Sequence, residues 1–155
     1  MAELTIRDFR KSDYQVFSEM INDFYNKGIA TLHGIDQKKI DTIFKISTSM
    51  TPYARALMIE QDGKIAGYLH LSFTHSNEVA GMVVLIEELY IRPEYQGKGI
   101  GNFVLDWLFQ EYQDKVKRFR LEVTRENDGA TRLYRKKGFQ PLEYDQMVYD
   151  LEEES

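Results

Sequence analysis

The chain has 155 residues, 43% hydrophobic and 29% charged, which suits one domain with a buried core over about residues 3–151. It contains no cysteine, so disulfides, thiolate metal sites and a cysteine nucleophile are excluded, and no apolar run approaches the roughly 18 residues of a membrane span. The net charge of −5 argues against a nucleic-acid partner and leans toward a cationic one, and Met1-Ala2-Glu3-Leu4-Thr5-Ile6-Arg7 lacks a signal-peptide core, so a cytoplasmic protein off the membrane is expected.

Leu4 to Phe9 reads as a first strand. Ser12 or Asp13 then caps a helix whose apolar face is Val16, Phe17, Met20, Ile21, Phe24 and Tyr25. Asn26 to Ile35 is a polar loop. A second helix follows from about Asp36 to Ser47, with Ile40, Ile43, Phe44 and Ile46 inward. Ala54 to Glu60 and Lys64 to Thr74 are two strands joined by Asp62-Gly63, a strong hairpin turn. After the turn Ser76-Asn77-Glu78 a strand runs from about Met82 to Ile91 and stops at Pro93, which cannot donate to a ladder. A helix to Tyr112, a strand Arg118 to Val123, a helix to Lys137 and a last strand near Gln146 to Leu151 complete the series, with Glu152 to Ser155 a frayed tail. No repeat or low-complexity stretch divides the chain.

The run Gln96-Gly97-Lys98-Gly99-Ile100-Gly101 joins the strand ending at Ile91 to the helix beginning near Asn102. Glycines at alternate positions bare the backbone, and unpaired N–H groups at the positive end of a helix bind anions. A P-loop would need Lys-Ser or Lys-Thr after the last glycine, and the chain has Asn102-Phe103. A dinucleotide fingerprint would need a third glycine at Asn102 and an early βαβ unit. The pattern Gln/Arg-x-x-Gly-x-Gly/Ala fits without a gap at Gln96, Gly99 and Gly101. About twenty residues on, a short strand, a polar cap at Asn127 or Asp128 and a helix with Ala130, Leu133 and Tyr134 on one face end at Gly138, behind the cationic turn Arg135-Lys136-Lys137.

These two stretches resemble the paired signatures of the GNAT superfamily of N-acetyltransferases: the loop resembles its acetyl-CoA pyrophosphate loop. Val123, Asn127, Ala130, Leu133, Tyr134, Gly138 and Phe139 match its Val-x-x-x-Asn-x-x-Ala-x-x-Leu-Tyr-x-x-x-Gly-Phe pattern. The likeness covers residues 54 to 150 well and the N-terminal third more loosely. It implies an α/β (α+β) fold, a mixed, mostly antiparallel sheet split at its centre with helices on both faces. It also implies a cofactor wedged where the central strand and its neighbour splay apart, and a homodimer is an expectation at the level of the family.

The resemblance further implies acetyl-CoA as co-substrate, held by Leu89, Tyr90, Ile91, Gln96, Gly97, Lys98, Gly99, Ile100, Gly101, Asn127 and Tyr134. In it the backbone of Leu89, Tyr90 and Ile91 pairs with the pantetheine arm like an added strand, and an amide near Leu89 or Tyr90 serves as oxyanion donor. Asn127 is either a cofactor ligand or a plain helix cap. Tyr134 takes the position of the family tyrosine beside the cofactor sulfur, as acid for the leaving thiolate, and Arg132 and Lys137 are solvated or reach the phosphates.

An amine must shed a proton before it attacks, since its solution pKa is about 10, so a base is needed. Glu87 and Glu88 are the candidates, each either as that base or as a ligand of the substrate. Adjacent strand residues face opposite sides unless a bulge intervenes, and parity alone groups Glu87 with Leu85 and Leu89, and Glu88 with Ile86 and Tyr90. A carboxyl among apolar neighbours would carry the raised pKa a base requires. Phe24 and Tyr25 open the segment running to His33 that is expected to wall the acceptor site, where aromatics hold an amine by cation–π contact or simply fill the core. His33, His70 and His75 lack zinc spacing, and no metal is expected. The expected activity is transfer of acetyl from acetyl-CoA to a primary amine of a small molecule. The alternatives are a protein or peptide N-acetyltransferase and a non-catalytic CoA-binding module.

Overall fold

The computed structural model describes residues 2–151. In chain order the elements are β1 (Leu4–Asp8), α1 (Tyr14–Asn26), α2 (Gln37–Ser47), β2 (Ala54–Gln61), β3 (Lys64–Ser76), β4 (Gly81–Ile91), α3 (Ile100–Tyr112), β5 (Arg118–Leu121) and α4 (Asp128–Lys136), with 3-10 turns at Lys11–Asp13 and Pro93–Tyr95. The strands form one sheet in the order β1-β2-β3-β4-β5, antiparallel throughout except for the parallel pair β4–β5.

Both faces of the sheet are covered, so its middle strands are apolar at nearly every position. Alternation then deals side chains to two separate cores. Ala56, Met58 and Tyr68 join Phe17, Met20, Ile21, Ile40 and Phe44 under α1 and α2. Leu57, Ile59, Leu69 and Leu71 join Val104, Leu105 and Leu108 of α3 on the other side. Each of these fully buried side chains stabilises the fold by about 1.5–3 kcal/mol relative to exposure.

The caps explain the helix limits. Asp36 caps α2 by accepting from Lys39 N at 2.9 Å, and Asn127 caps α4 by accepting from Ala130 N at 3.3 Å. Asp13 does not cap α1 with its side chain. Its carboxylate instead takes both Nη atoms of Arg7 and the Arg10 amide, clamping the turn that leads into the helix. At the end of α4, Gly138 has φ of +102°, and Phe139 N donates to Tyr134 O at 3.0 Å, which satisfies a terminal carbonyl.

Three expected boundaries are corrected. Ile46 is 48% exposed, because the buried stripe of α2 runs through Ile40 and Phe44 and a period of 3.6 carries Ile46 away from it. β5 ends at Leu121 rather than Val123, since the strands part there. Residues 146–151 form no strand. Alternating apolar residues make a strand only where a ladder and an apolar surface receive them. Here Tyr144 donates to Glu78 at the β3–β4 turn, and Met147, Val148, Tyr149 and Leu151 project outward unpaired. The expected tail at 152–155 lies outside the described residues.

The split is visible in the register. β4 pairs with β5 only from Val83↔Arg118 to Ile86↔Leu121, and β4 then runs five residues further with β3 on one side and, among the described residues, no strand on the other. No helix among the described residues is long and apolar enough to cross a membrane.

Candidate active site

The site begins with a break in register. His70 stands opposite Glu88 and Leu71 opposite Ile86, so Glu87 is an extra residue in β4. Upstream of this bulge Val84 and Ile86 face the α3 core; downstream Glu88 and Tyr90 face the α1–α2 core, while Leu89 and Ile91 turn toward α3. Strand parity had grouped Glu88 with Ile86. The bulge separates them, and it lets both carboxylates reach the same cavities.

Glu88 is buried. Tyr68 donates to its Oε1 at 2.9 Å and Tyr25 donates to its Oε2. Burial pushes the carboxyl up, the two tyrosine hydroxyls pull it down, and the neighbouring Glu87 adds to the rise; the net shift is upward. Glu87 is exposed, held by Ser72 Oγ at 3.0 Å. Tyr25 and Tyr68 are themselves raised, by burial first and then by the Glu88 charge, so both remain donors.

Beyond the bulge the open edge of β4 faces β5 across the cleft. Arg92 N donates to Ala66 O at 2.8 Å, and antiparallel alternation then turns the Tyr90 and Glu88 main chain toward β3. Leu89 and Ile91 therefore present their backbone groups to the cleft. Gln96 confirms the direction by donating its Nε2 to Ile91 O at 2.9 Å. Tyr90 sends its hydroxyl the other way, to Asp23.

This cleft is a cavity of about 330 Å³ lined by β4 from Ile86 to Ile91, Phe24, Gly28 to Ala30 of the α1–α2 loop, and Glu122, Val123, Asn127, Ala130 and Tyr134. Leu89, Ile91, Gln96, Asn127, Ala130 and Tyr134 also line an adjoining cavity of about 560 Å³ whose floor is Gly97, Gly99, Ile100, Gly101 and Asn102. Gly97 and Gly99 have φ of +73° and +80°, which L side chains rarely adopt, and Gly99 opens α3 with no side-chain cap. The first amides of α3 are thus free for an anion, the requirement for a pyrophosphate. Ile100 buries its side chain in the α3 core and offers only its backbone. Lys98 lies over the Tyr95 ring at 5.5 Å, and Lys137 is taken by Asp106 and by Asn102 at 2.9 Å.

Tyr134 stands where the two cavities meet. Burial pushes its phenol up to about 12, so it holds its proton. Asn127 lines both cavities while its Oδ1 caps α4. On the other side of Glu87 and Glu88 a third cavity, of about 280 Å³, is lined by Tyr25, Ile43, Ser47, His70 and Ser72 among others. Thr124 donates its hydroxyl to Ile29 O and so ties the β5–α4 loop to the α1–α2 loop, both of which line the cleft.

Residues 15–139 match the model of the family described as "Acetyltransferase (GNAT) family". The chain belongs to that family. A protein of Bacillus subtilis (strain 168) named "putative ribosomal protein bS18-alanine N-acetyltransferase" is 34% identical over 91 residues, which are 58% of this chain and 56% of that one. The thialysine N-epsilon-acetyltransferase of Sus scrofa is 26% identical over 159 residues, covering 92% of this chain and 87% of its own. Among solved structures, "a possible acetyltransferase from Clostridium difficile 630" superposes with a TM-score of 0.80 at 18% identity, over 97% of this chain and 99% of that one. The GNAT architecture expected from the paired motifs is thereby shown.

Sequence reasoning missed Tyr68, His70 and Asp23 as neighbours of the site. Tyr68 and His70 alternate on one strand as Glu88 and Tyr90 do on the next, a signal that becomes legible only once the register is known.

Proposed function

We propose that this GNAT protein is an acetyl-CoA-dependent N-acetyltransferase whose acceptor is a primary amine of a small, cationic molecule. The carrying observation is the junction at the β4 bulge. A buried carboxylate and an exposed one meet a cleft that shares a wall with a glycine cradle at a helix N-terminus.

The cradle fits a CoA diphosphate: side chains are absent at Gly97 and Gly99, and the amides of α3 are uncapped. The exposed edge at Leu89 and Ile91 suits the pantetheine arm. Bound there, the thioester supplies an acyl group already activated toward an amine. Glu88 takes the proton from the acceptor nitrogen, since burial has made it a better base than an ordinary carboxylate. The Leu89 amide is the donor available to a carbonyl oxygen at the bulge. Tyr134, protonated and facing both cavities, donates toward the leaving sulfur.

Charge supports the acceptor class. Asp23, Glu87, Glu88 and Glu122 line the cleft, and among the described residues no lysine, arginine or histidine does. Such a cavity attracts and holds a positive amine. The Thr124–Ile29 contact narrows the space between the two lining loops, which favours a small molecule over a peptide chain.

The test is release of free thiol by the purified protein with acetyl-CoA and a panel of amines: diamines, amino acids, aminoglycosides and a peptide with N-terminal alanine. Turnover with small cationic amines above the peptide is expected. Turnover of the peptide alone would replace the acceptor assignment, and binding of acetyl-CoA without turnover of any amine would leave only a CoA-binding module.

A further inference from the structure

His70 is a buried group that the reaction as described leaves unused. It points into the α1–α2 core from β3, with ring centroids 5.4 Å from Phe9, 5.3 Å from Phe17 and 5.2 Å from Tyr68. Its Nε2 lies 3.3 Å from Ser47 Oγ. Ser47 donates its single hydroxyl hydrogen to Ile43 O at 2.7 Å, one turn back in α2, so the oxygen can only accept from the ring. The network therefore assigns the hydrogen to Nε2 and leaves Nδ1 a bare lone pair. Burial pushes His70 down to about 4, which keeps the ring neutral near pH 7.

The bare Nδ1 faces Oε1 of Glu88 at 3.8 Å, and among the described residues no hydrogen bond reaches it. Two acceptors thus confront each other in a buried wall, about one ångström beyond hydrogen-bonding distance. Such a pair lacks one hydrogen. Oε1 has a second lone pair for Tyr68, so it can carry a proton and still accept that hydroxyl.

We propose that His70 is a positioning residue for Glu88: its Nδ1 accepts the O–H that forms on Oε1 when Glu88 removes the acceptor's proton, and so raises the affinity of that carboxylate for the proton. The inference rests on Glu88 as the base. An N–H bond of the acceptor ammonium breaks, an O–H bond forms on Glu88, and the new hydrogen lies between Oε1 and Nδ1; His70 takes no net charge. Catalytic contacts that are long in the free enzyme close in this way when a substrate binds.

The surroundings make the balance clear. Tyr25 from α1 and Tyr68 from β3 donate to Glu88 and favour its anion. Glu87, the neighbouring carboxylate on β4, opposes that anion. On β2, Ala56 stands opposite His70, and the adjacent Arg55 guanidinium is held by Asp8 and Glu111. From α2 come the uncharged Thr42, Ile43, Ile46 and Ser47, and Phe9 and Phe17 carry no charge. The Nδ1 lone pair adds to burial and Glu87 in opposing the two tyrosine donors.

His70→Gln and Ser47→Ala test the proposal in different ways. The glutamine amide can still donate to Ser47 but removes the lone pair at the Nδ1 position. Ser47→Ala frees the imidazole hydrogen to move to Nδ1, where it would donate to the Glu88 anion. Both changes should lower the pH midpoint of the Glu88 carboxyl by about half a unit or more. The midpoint is read from the infrared C=O band that Glu88→Gln abolishes, with no acceptor present, and from the acid limb of kcat. A midpoint that stays at the wild-type value in both variants overturns the proposal, leaving His70 as packing alone. If His70→Gln does not fold, Ser47→Ala decides by itself. Failure of the wild type to acetylate any amine would sink the enzymatic reading, while the infrared midpoint would still decide the His70–Glu88 pair.

Discussion

Tyr25, at the end of α1, donates its hydroxyl to Oε2 of Glu88 beyond the bulge of β4, across 63 positions of sequence. The contact joins the helix that walls the cleft to the buried carboxylate at the β4 bulge. It also sets that carboxylate's proton affinity, since the Tyr25 hydrogen bond pulls Glu88 down while burial pushes it up.

Removing the hydroxyl should therefore move Glu88 further upward. In Tyr25→Phe the acid limb of the kcat–pH profile shifts to higher pH, the opposite of the shift expected for His70→Gln. The lost hydrogen bond also costs about 1–2 kcal/mol of stability, measured by denaturant titration.

Glu88→Gln should lower kcat by about 10²–10⁴-fold, the usual worth of a general base, while Glu87→Gln acts mainly on the KM of cationic acceptors. The same Glu88 variant should be more stable than the wild type near neutrality. A carboxyl raised in the folded state binds its proton more tightly there, so stability is greatest below the unfolded value of about 4.5 and falls as pH rises through the folded one. The glutamine has no such loss. Unfolding curves measured below the unfolded value and above the folded one should show the advantage only at the higher pH.

Tyr134→Phe should slow turnover about ten- to a hundred-fold and leave acetyl-CoA affinity nearly unchanged, because the phenol contributes a proton rather than binding area. With that phenol pushed up to about 12, the wild-type enzyme should show no loss of kcat through deprotonation of Tyr134 until pH approaches that value. Equal kcat in the variant would remove Tyr134 from the mechanism. Isothermal titration with acetyl-CoA supplies the other half of the comparison.

Gly99→Ala places a Cβ on a backbone with φ of +80°, at a strain of about 1–2 kcal/mol. Because no neighbour blocks the added carbon, the fold survives, but the loop relaxes away from the conformation that bares its amides. Acetyl-CoA should bind about tenfold more weakly, with a melting temperature within a few degrees of the wild type.

Asp13→Asn tests the clamp at the entry to α1. Burial raises the Asp13 carboxyl, but its bonds from Arg7 and the Arg10 amide outweigh that and hold it below the ordinary range. A lowered folded pKa contributes stability above the unfolded value of about 3.8, and that contribution is lost as pH falls through the folded one. The asparagine variant should be about 2 kcal/mol less stable at pH 7, with the gap closing toward pH 2 in chemical denaturation.

Much of the site was legible before the fold. Gln96, Gly99 and Gly101 marked bare backbone at a helix start and Tyr134 and Asn127 came with the second motif, and the structure gathers them around two adjoining cavities. Which of Glu87 and Glu88 is buried was not legible. Parity along β4 put Glu88 beside Ile86, and one extra residue in the ladder reversed it. The strand expected at 146–151 failed for a related reason: alternation describes a surface in need of a partner and cannot say whether one arrives.

Local chemistry alone determined which residues bend, cap and cradle, because glycine conformations, helix ends and apolar periods depend on near neighbours in the chain. The tertiary structure decided the electrostatics of the buried Glu88 carboxylate. Tyr25, Tyr68, His70 and Glu88 come from three separate elements, and the proton affinity of a buried group is set by whatever surrounds it in space.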